Sequence, residues 1–340
     1  MIGSQLRLTF TFGFLGILLA LPSYSAELFE GENLSSLAEQ YSRSISSFPK
    51  PVIFSQLLSQ AVLPSQKVDS LDPIIDDDFF HRYRLKGEWK IRKFFVSTPD
   101  NKKLETIEIY PPQFDSNNPR FVIAFNGNGM TYPAYLDQLT KYGKKLGVAT
   151  IGFNYRGVGK STSHPRNFHE LILDGITQTE RVLNLGVRPE NITLDGHSLG
   201  GAIGAYVAAF FHDKGLKLKF FSDRSFATLE RVVKTKFPKF ISGALFPLLP
   251  NAGWNLRPIE AFNSIENEYK AYVCCTDDKV IDVNASLASA LSEDEQCLGS
   301  TATGGHMFEK DWLVLNGQDD LKVKKTALDL FFELVNRKID

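Results

Sequence analysis

Cysteine is scarce in this chain of 340 residues: Cys274, Cys275 and Cys297 are the only three, an odd number that cannot all pair within one molecule. A disulfide framework is therefore excluded as the support of the fold, and the spacing fits no zinc site. Both cysteine segments read as strands, where a buried free thiol is expected, although a bridge from Cys274 or Cys275 to Cys297 stays open in an oxidising compartment. Net charge is also nearly absent. With 38 basic and 39 acidic residues the formal balance is −1, and scattered Lys and Arg build no field to gather a phosphate backbone, which argues against nucleic acid as a partner. Repeats and low-complexity tracts are missing as well, so fibrous and disordered classes fall away. A composition of 43% hydrophobic and 23% charged residues is that of a globular chain long enough for one large core.

The apolar run from Leu8 to Leu21 is too short to cross a bilayer comfortably, for which about 20 residues are wanted. It follows a single basic residue, Arg7, and leads into Pro22, Ser23, Ser25 and Ala26, the pattern of a secretory signal peptide. Residues 1–25 are read as that signal, and the location as secreted or periplasmic. The alternative is an uncleaved segment that anchors the chain in a membrane. Removal of residues 1–25 leaves 37 basic against 39 acidic side chains, or −2. No cysteine stands near the cut, so lipoprotein attachment is excluded.

Residues 26–86 read as a polar, helix-leaning extension interrupted by Pro49, Pro51, Pro64 and Pro73. Its cluster Asp76, Asp77, Asp78 lacks calcium-loop spacing and reads as a solvated face or helix start. From Trp89 the pattern turns β-prone: WKIRKFFVS and LETIEIYPP, joined by a polar turn, suggest a hairpin. RFVIAFNG and VATIGFNY are nearly continuous apolar runs separated by a helical stretch, as in strands buried on both faces of a parallel sheet. The alternation continues through a helix near 168–185, a strand NITLD, a helix from Leu199, strands at Lys217–Ser222 and Tyr269–Cys275, a short segment near Cys297, and a closing helix Leu321–Arg337. The expected fold class is α/β, a single unit over residues 87–340 with a mostly parallel central sheet flanked by helices. An insertion at about 229–267 carries Phe237, Phe240, Ile241, Ala244, Leu245, Leu248 and Leu249 at helical spacing, a small helical lid in expectation.

What the chain does have is GHSLGG, Gly196 to Gly201, between a β-prone run and a small apolar helix. A serine between glycines on a strand-to-helix turn stands clear of the sheet as a nucleophile, because any Cβ at the flanking positions would meet backbone. A serine hydroxyl needs a base, and the base an orienting carboxylate. Of six histidines, His306 alone follows both the elbow and an acid loop, behind Gly304 and Gly305; the other five read as surface or structural residues. The acid comes from TDDKVID: Asp278 is preferred because Val280 and Ile281 would pin its loop, with Asp277 and Asp223 as alternatives. An oxyanion needs two backbone N–H donors, expected from Leu199, after the nucleophile, and from Asn128 in the glycine-rich NGNGM. The GKS of NYRGVGKS is no phosphate loop, because the position that should carry the first glycine is Asn154.

In order and in kind, GHSLGG, the Asp278 loop, GGH ending at His306, NGNG and the NYRGVGKS turn resemble a serine hydrolase of the α/β-hydrolase fold, over Trp89 to the carboxyl terminus. Asn126 departs from the histidine that many members carry before the oxyanion glycine. The NGNG and NYRGVGKS forms are also similar to a poorly characterised hydrolase branch from intracellular bacteria. The resemblance implies cleavage of carboxylic esters through an acyl-enzyme on Ser198, with His306 and Asp278 completing a triad and no metal or organic cofactor. The substrate would be a small-molecule or lipid ester, a long-chain one if the insertion is a lid that also touches a membrane surface transiently. Thioester or peptide cleavage by the same triad, and a silent binding protein of the same fold, remain alternatives.

Overall fold

The computed structural model describes residues 37–46, 89–236, 242–243, 248–292, 297–307, 309–316 and 325–339. The proposed signal segment, the Asp76–Asp78 cluster and most of the lid stripe (Phe237, Phe240, Ile241, Ala244 and Leu245) lie outside them. The carboxyl-terminal helix is described only from Ala327, after Thr326.

Nine strands form one sheet in the order β1-β2-β4-β3-β5-β6-β7-β8-β9. They are β1 Lys90–Ser97, β2 Lys103–Tyr110, β3 Phe121–Phe125, β4 Ala149–Phe153, β5 Ile192–His197, β6 Lys219–Asp223, β7 Lys270–Cys275, β8 Leu298–Thr303 and β9 Val314–Leu315. The hairpin β1/β2, the pair β2/β4 and the short edge pair β8/β9 are antiparallel, and all pairs from β4 through β8 are parallel. Parallel neighbours need crossover connections, and here helices supply them: α2 Leu136–Leu146, α3 Phe168–Leu183, α4 Leu199–Asp213 and α7 Pro258–Ser264. Completing the set are α1 Leu37–Ser46, α5 Leu229–Lys236, α6 Leu248–Asn251 and α8 Ala327–Asn336.

Strand periodicity divides the core in two. Phe121, Ile123 and Phe125 of β3 pack with α1, α3, α4 and α7, while Val122 and Ala124 face α2 and α8. Both faces are covered, which is why β3, β4, β5 and β6 are buried along their whole lengths. Asp195, at the carboxyl end of β5, hydrogen-bonds Tyr142 of α2 and so belongs to the α2/α8 face.

Local chemistry sets several element ends. Asn167 caps α3 by accepting the N–H of Glu170. A reciprocal box between Thr326 and Asp329 starts α8 at Ala327. Of the extension, α1 docks on the core: Leu37 and Ala38 are buried, and Glu180 of α3 accepts both of their N–H groups at 3.1 and 3.3 Å. A carboxylate at a helix amino terminus satisfies orphan donors and meets the positive end of the helix dipole. In the insertion, α5 buries no residue fully, whereas Leu249 is buried. None of the three cysteines is joined in a disulfide. Among the described residues no helix is long and apolar enough to cross a membrane.

Candidate active site

The carboxyl ends of β5, β6 and β7 and the loop after β8 converge at one end of the sheet. The chain leaves β5 through a sharp turn in which Ser198 adopts φ 53 and ψ −116, a conformation that L residues avoid. The turn is possible because Gly200 lets α4 start against β3: a Cβ there would stand 1.9 Å from the carbonyl oxygen of Phe125. The Ser198 N–H donates to the Asp223 carbonyl at 2.9 Å, and Ser225 Oγ donates to the Ser198 carbonyl at 2.9 Å. Both backbone groups of the serine are thus committed to the scaffold. Leu199 is the first residue of α4, where N–H groups have no intrahelical partner.

The loop after β3 packs on this turn. Asn126 is fully buried and donates through Nδ2 to the Phe153 carbonyl at 2.7 Å, which ties the loop base to β4. A Cβ on Gly127 would lie 3.0 Å from His197 Cδ2, so the loop and the residue before Ser198 are in close contact. Asn128 follows on the exposed side of the turn that Met130 N–H closes onto the Gly127 carbonyl.

His306 and Asp278 meet. Nδ1 of the imidazole lies 2.6 Å from Oδ2 of the carboxylate, and both side chains are almost wholly buried. An ionised carboxylate can only accept, so Nδ1 carries a proton toward Asp278 and Nε2 is the ring nitrogen that this contact leaves open. Burial pushes the Asp278 carboxyl up, but the hydrogen bond and charge of His306 and the N–H groups of Ile281 and Val280 outweigh it and hold the group below the usual carboxylate range. Those two N–H groups donate to Asp278 Oδ1 at 2.8 and 2.7 Å. Of the two apolar side chains expected to pin this loop, Ile281 is buried in the core and Val280 is exposed, and the two backbone donors add to the hold.

Asp277 points elsewhere. Its carboxylate accepts the N–H groups of Gly304 and Gly305 at 3.0 to 3.1 Å, and these donors lower its pKa. Adjacent aspartates therefore grip the same histidine loop differently, one by the backbone and one by the imidazole. Asp223 does not contact His306 either: Arg224, Lys310 and His197 surround its carboxylate. His197 Nδ1 is 3.3 Å from Asp223 Oδ2 without hydrogen-bond alignment, and burial drives this imidazole down to about 4, so it is neutral at pH 7. Its ring lies 4.8 Å from that of His306.

Beside these rings opens a cavity of about 110 Å³, bordered by Met130, Tyr135, Gln138, Arg224, Met307 and Lys310 among others. Arg224, Lys310 and Asp195 were not anticipated as site residues. Their only sequence signal is a charge inside or beside an apolar run, and such charges are usually solvated. The NYRGVGKS turn is structural: Arg156 is buried between Asp174 and Asp100, and Asn154 joins the Tyr132 N–H to Glu105. Among the described residues no three His, Cys, Asp or Glu side chains gather so as to hold a metal ion.

Compared with known protein families, the chain matches none. It is 30% identical over 173 residues to an uncharacterised protein of Acanthamoeba polyphaga mimivirus, covering 47% of this chain. The chain spans only 55% of that relative's length. Among solved structures it is similar to an alpha-beta hydrolase from Vibrio vulnificus, with TM-score 0.59 and 17% identity over 75% of this chain and 88% of the other. It is also similar to an esterase from Pyrococcus furiosus, with TM-score 0.50 and 15% identity over 64% of this chain and 83% of the other. The fold is that of the α/β-hydrolases. Nothing in these likenesses singles out a branch from intracellular bacteria.

Proposed function

We propose that this α/β-hydrolase-fold chain is a serine hydrolase of carboxylic esters. The observation that carries the reading is the 2.6 Å contact of His306 Nδ1 with Asp278 Oδ2, at the same sheet end as a serine in a left-handed turn. His306 Nε2 would take the Ser198 proton as the hydroxyl attacks the ester carbonyl, then return it to the leaving alkoxide. A tetrahedral oxyanion would form next to the amino terminus of α4, where the N–H groups of Leu199 and Asn128 are the proposed donors; one such donor is worth about 3 kcal/mol of barrier. The acyl-enzyme on Ser198 would then be hydrolysed by a water that the same imidazole deprotonates. Asp278 holds the tautomer and stabilises the imidazolium as it forms.

The names of the two structural neighbours, a hydrolase and an esterase, accord with this chemistry. The apolar residues of the insertion support an acyl chain as the substrate's larger part, with lid and transient membrane contact. The leader supports a secreted or periplasmic location. A fluorophosphonate probe tests the core of the reading: it should label the wild type and leave Ser198→Ala unlabelled. Two folded but unlabelled proteins would end it. With p-nitrophenyl esters of graded length, activity should rise with chain length, and a preference for acetyl esters would remove the lipid part alone.

A further inference from the structure

Beneath the His306 loop lies a buried layer of charge that a triad does not require. Lys310 Nζ, in a residue only 2% exposed, sits 3.1 Å from Asp195 Oδ2 and 3.0 Å from Asp223 Oδ2. Arg224 donates to the same Asp223 carboxylate through Nε at 2.7 Å and Nη2 at 2.8 Å. Two cations meet two carboxylates with the neighbouring His197 neutral, so the layer is balanced and each charge has partners, the condition under which burial of ions is tolerated. Rings of Tyr142, Phe221 and Phe331 stand within 5.9 Å of the Lys310 ammonium.

This layer touches the proposed nucleophile and its base at once. Asp223 accepts the Ser198 N–H through its carbonyl, 2.9 Å away. Arg224 Nη1 donates to the carbonyl of Gly305, the residue before His306, at 3.2 Å. Lys310 anchors the chain four residues after His306. Parallel register places His197 beside Asp223, so Ser198 and Arg224 are the first residues beyond two adjacent strands. Both adopt positive φ, 53 and 49. For an arginine that conformation is strained, and strain of this kind persists where the surroundings over-determine it, above all at functional sites. Here it turns the guanidinium back under its own strand end and out to Gly305.

We infer that Arg224 and Lys310, joined through Asp223, are positioning residues that hold the His306 loop in register with Ser198. The inference rests on the serine-hydrolase reading. Asp277 fixes the N–H side of Gly304 and Gly305, Arg224 the carbonyl side, and Asp278 the ring. Without the Arg224 tether the imidazole would be free to shift along the sheet edge, and displacements near 1 Å in such constellations cost about a hundredfold in rate.

The test uses full-length protein, with turnover of a p-nitrophenyl ester and the rate of fluorophosphonate labelling both read well below the melting temperature. Arg224→Lys keeps the buried charge and loses the reach to Gly305. It should lower kcat and the labelling rate about tenfold or more while KM stays within about threefold. Lys310→Met should do the same more strongly; if it does not fold, Lys310→Arg, which keeps charge and changes reach, is read in its place. A purely structural role would lower the melting temperature and leave both rates of the folded protein at wild-type values, and that result overturns the inference while the hydrolase reading stands. A wild type that neither labels nor turns over overturns both.

Discussion

A methyl group on Gly200 would sit 1.9 Å from a backbone oxygen, whereas Gly305 is set apart by its φ of 76, a conformation that residues with a Cβ rarely adopt. That contrast separates the two halves of the site. The Ser198 turn is held by close backbone contact at Gly200 and by hydrogen bonds of its N–H to the Asp223 carbonyl and of its carbonyl to Ser225 Oγ. The His306 loop is held by side-chain chemistry of four residues from three places along the chain: Arg224, the pair Asp277 and Asp278, and Lys310. Rigid sterics make the Ser198 backbone conformation nearly independent of solution conditions, while a loop tied by charges and side-chain hydrogen bonds can be tuned or lost one partner at a time.

The comparison breaks if the two glycines behave alike. Gly200→Ala should leave no foldable elbow, seen as loss of soluble, probe-reactive protein. Gly305→Ala should cost about 1 to 3 kcal/mol, the range for a non-glycine residue forced into a strained backbone region, and remain folded by circular dichroism. Next in size is the contrast between the adjacent aspartates. Asp278→Asn should lower kcat by about 10³ to 10⁴, the scale of removing a triad carboxylate, with little change in melting temperature. Asp277→Asn, which removes the exposed charge and keeps one acceptor oxygen, should lower kcat about tenfold at most. Equal losses in steady-state assays would mean that backbone placement of the loop matters as much as the imidazole contact.

The smallest expected effect concerns acid. Burial holds the His197 imidazole down to about 4, below the 6.5 of an unfolded histidine. Between those values the unfolded chain binds more protons, so stability is full above pH 6.5 and falls as pH drops toward 4. The contribution to that fall is about 2 to 3 kcal/mol between pH 7 and 4.5. Thermal melts across this range should be flatter in His197→Asn than in the wild type; parallel curves would show that the histidine is not buried as the charge layer requires.

Much of this architecture was legible along the chain. Unbroken apolar runs at RFVIAF and VATIGF marked strands covered on both faces, and β3 and β4 are buried over their full lengths. GHSLGG marked the strained turn, since three glycines around one serine have few other uses. The single histidine behind Gly304 and Gly305 stood out by order alone. Harder to read was which of two neighbouring aspartates turns toward it, because a one-residue difference in a loop leaves no periodicity behind. The sequence also could not show that Asn126 ties the loop base to β4 through the Phe153 carbonyl, or that Glu180 would receive the helix that begins at Leu37. Each is a contact between residues far apart in the chain.

By itself the sequence determined the alternation of strands and helices and the backbone geometry at Ser198, because both arise from local sterics and from hydrophobic period. The tertiary structure alone decided that Lys310, Arg224, Asp195 and Asp223 share one buried layer beneath the histidine. A charged side chain reads as solvated until the fold supplies its counter-charge, and that counter-charge comes from other strands and loops.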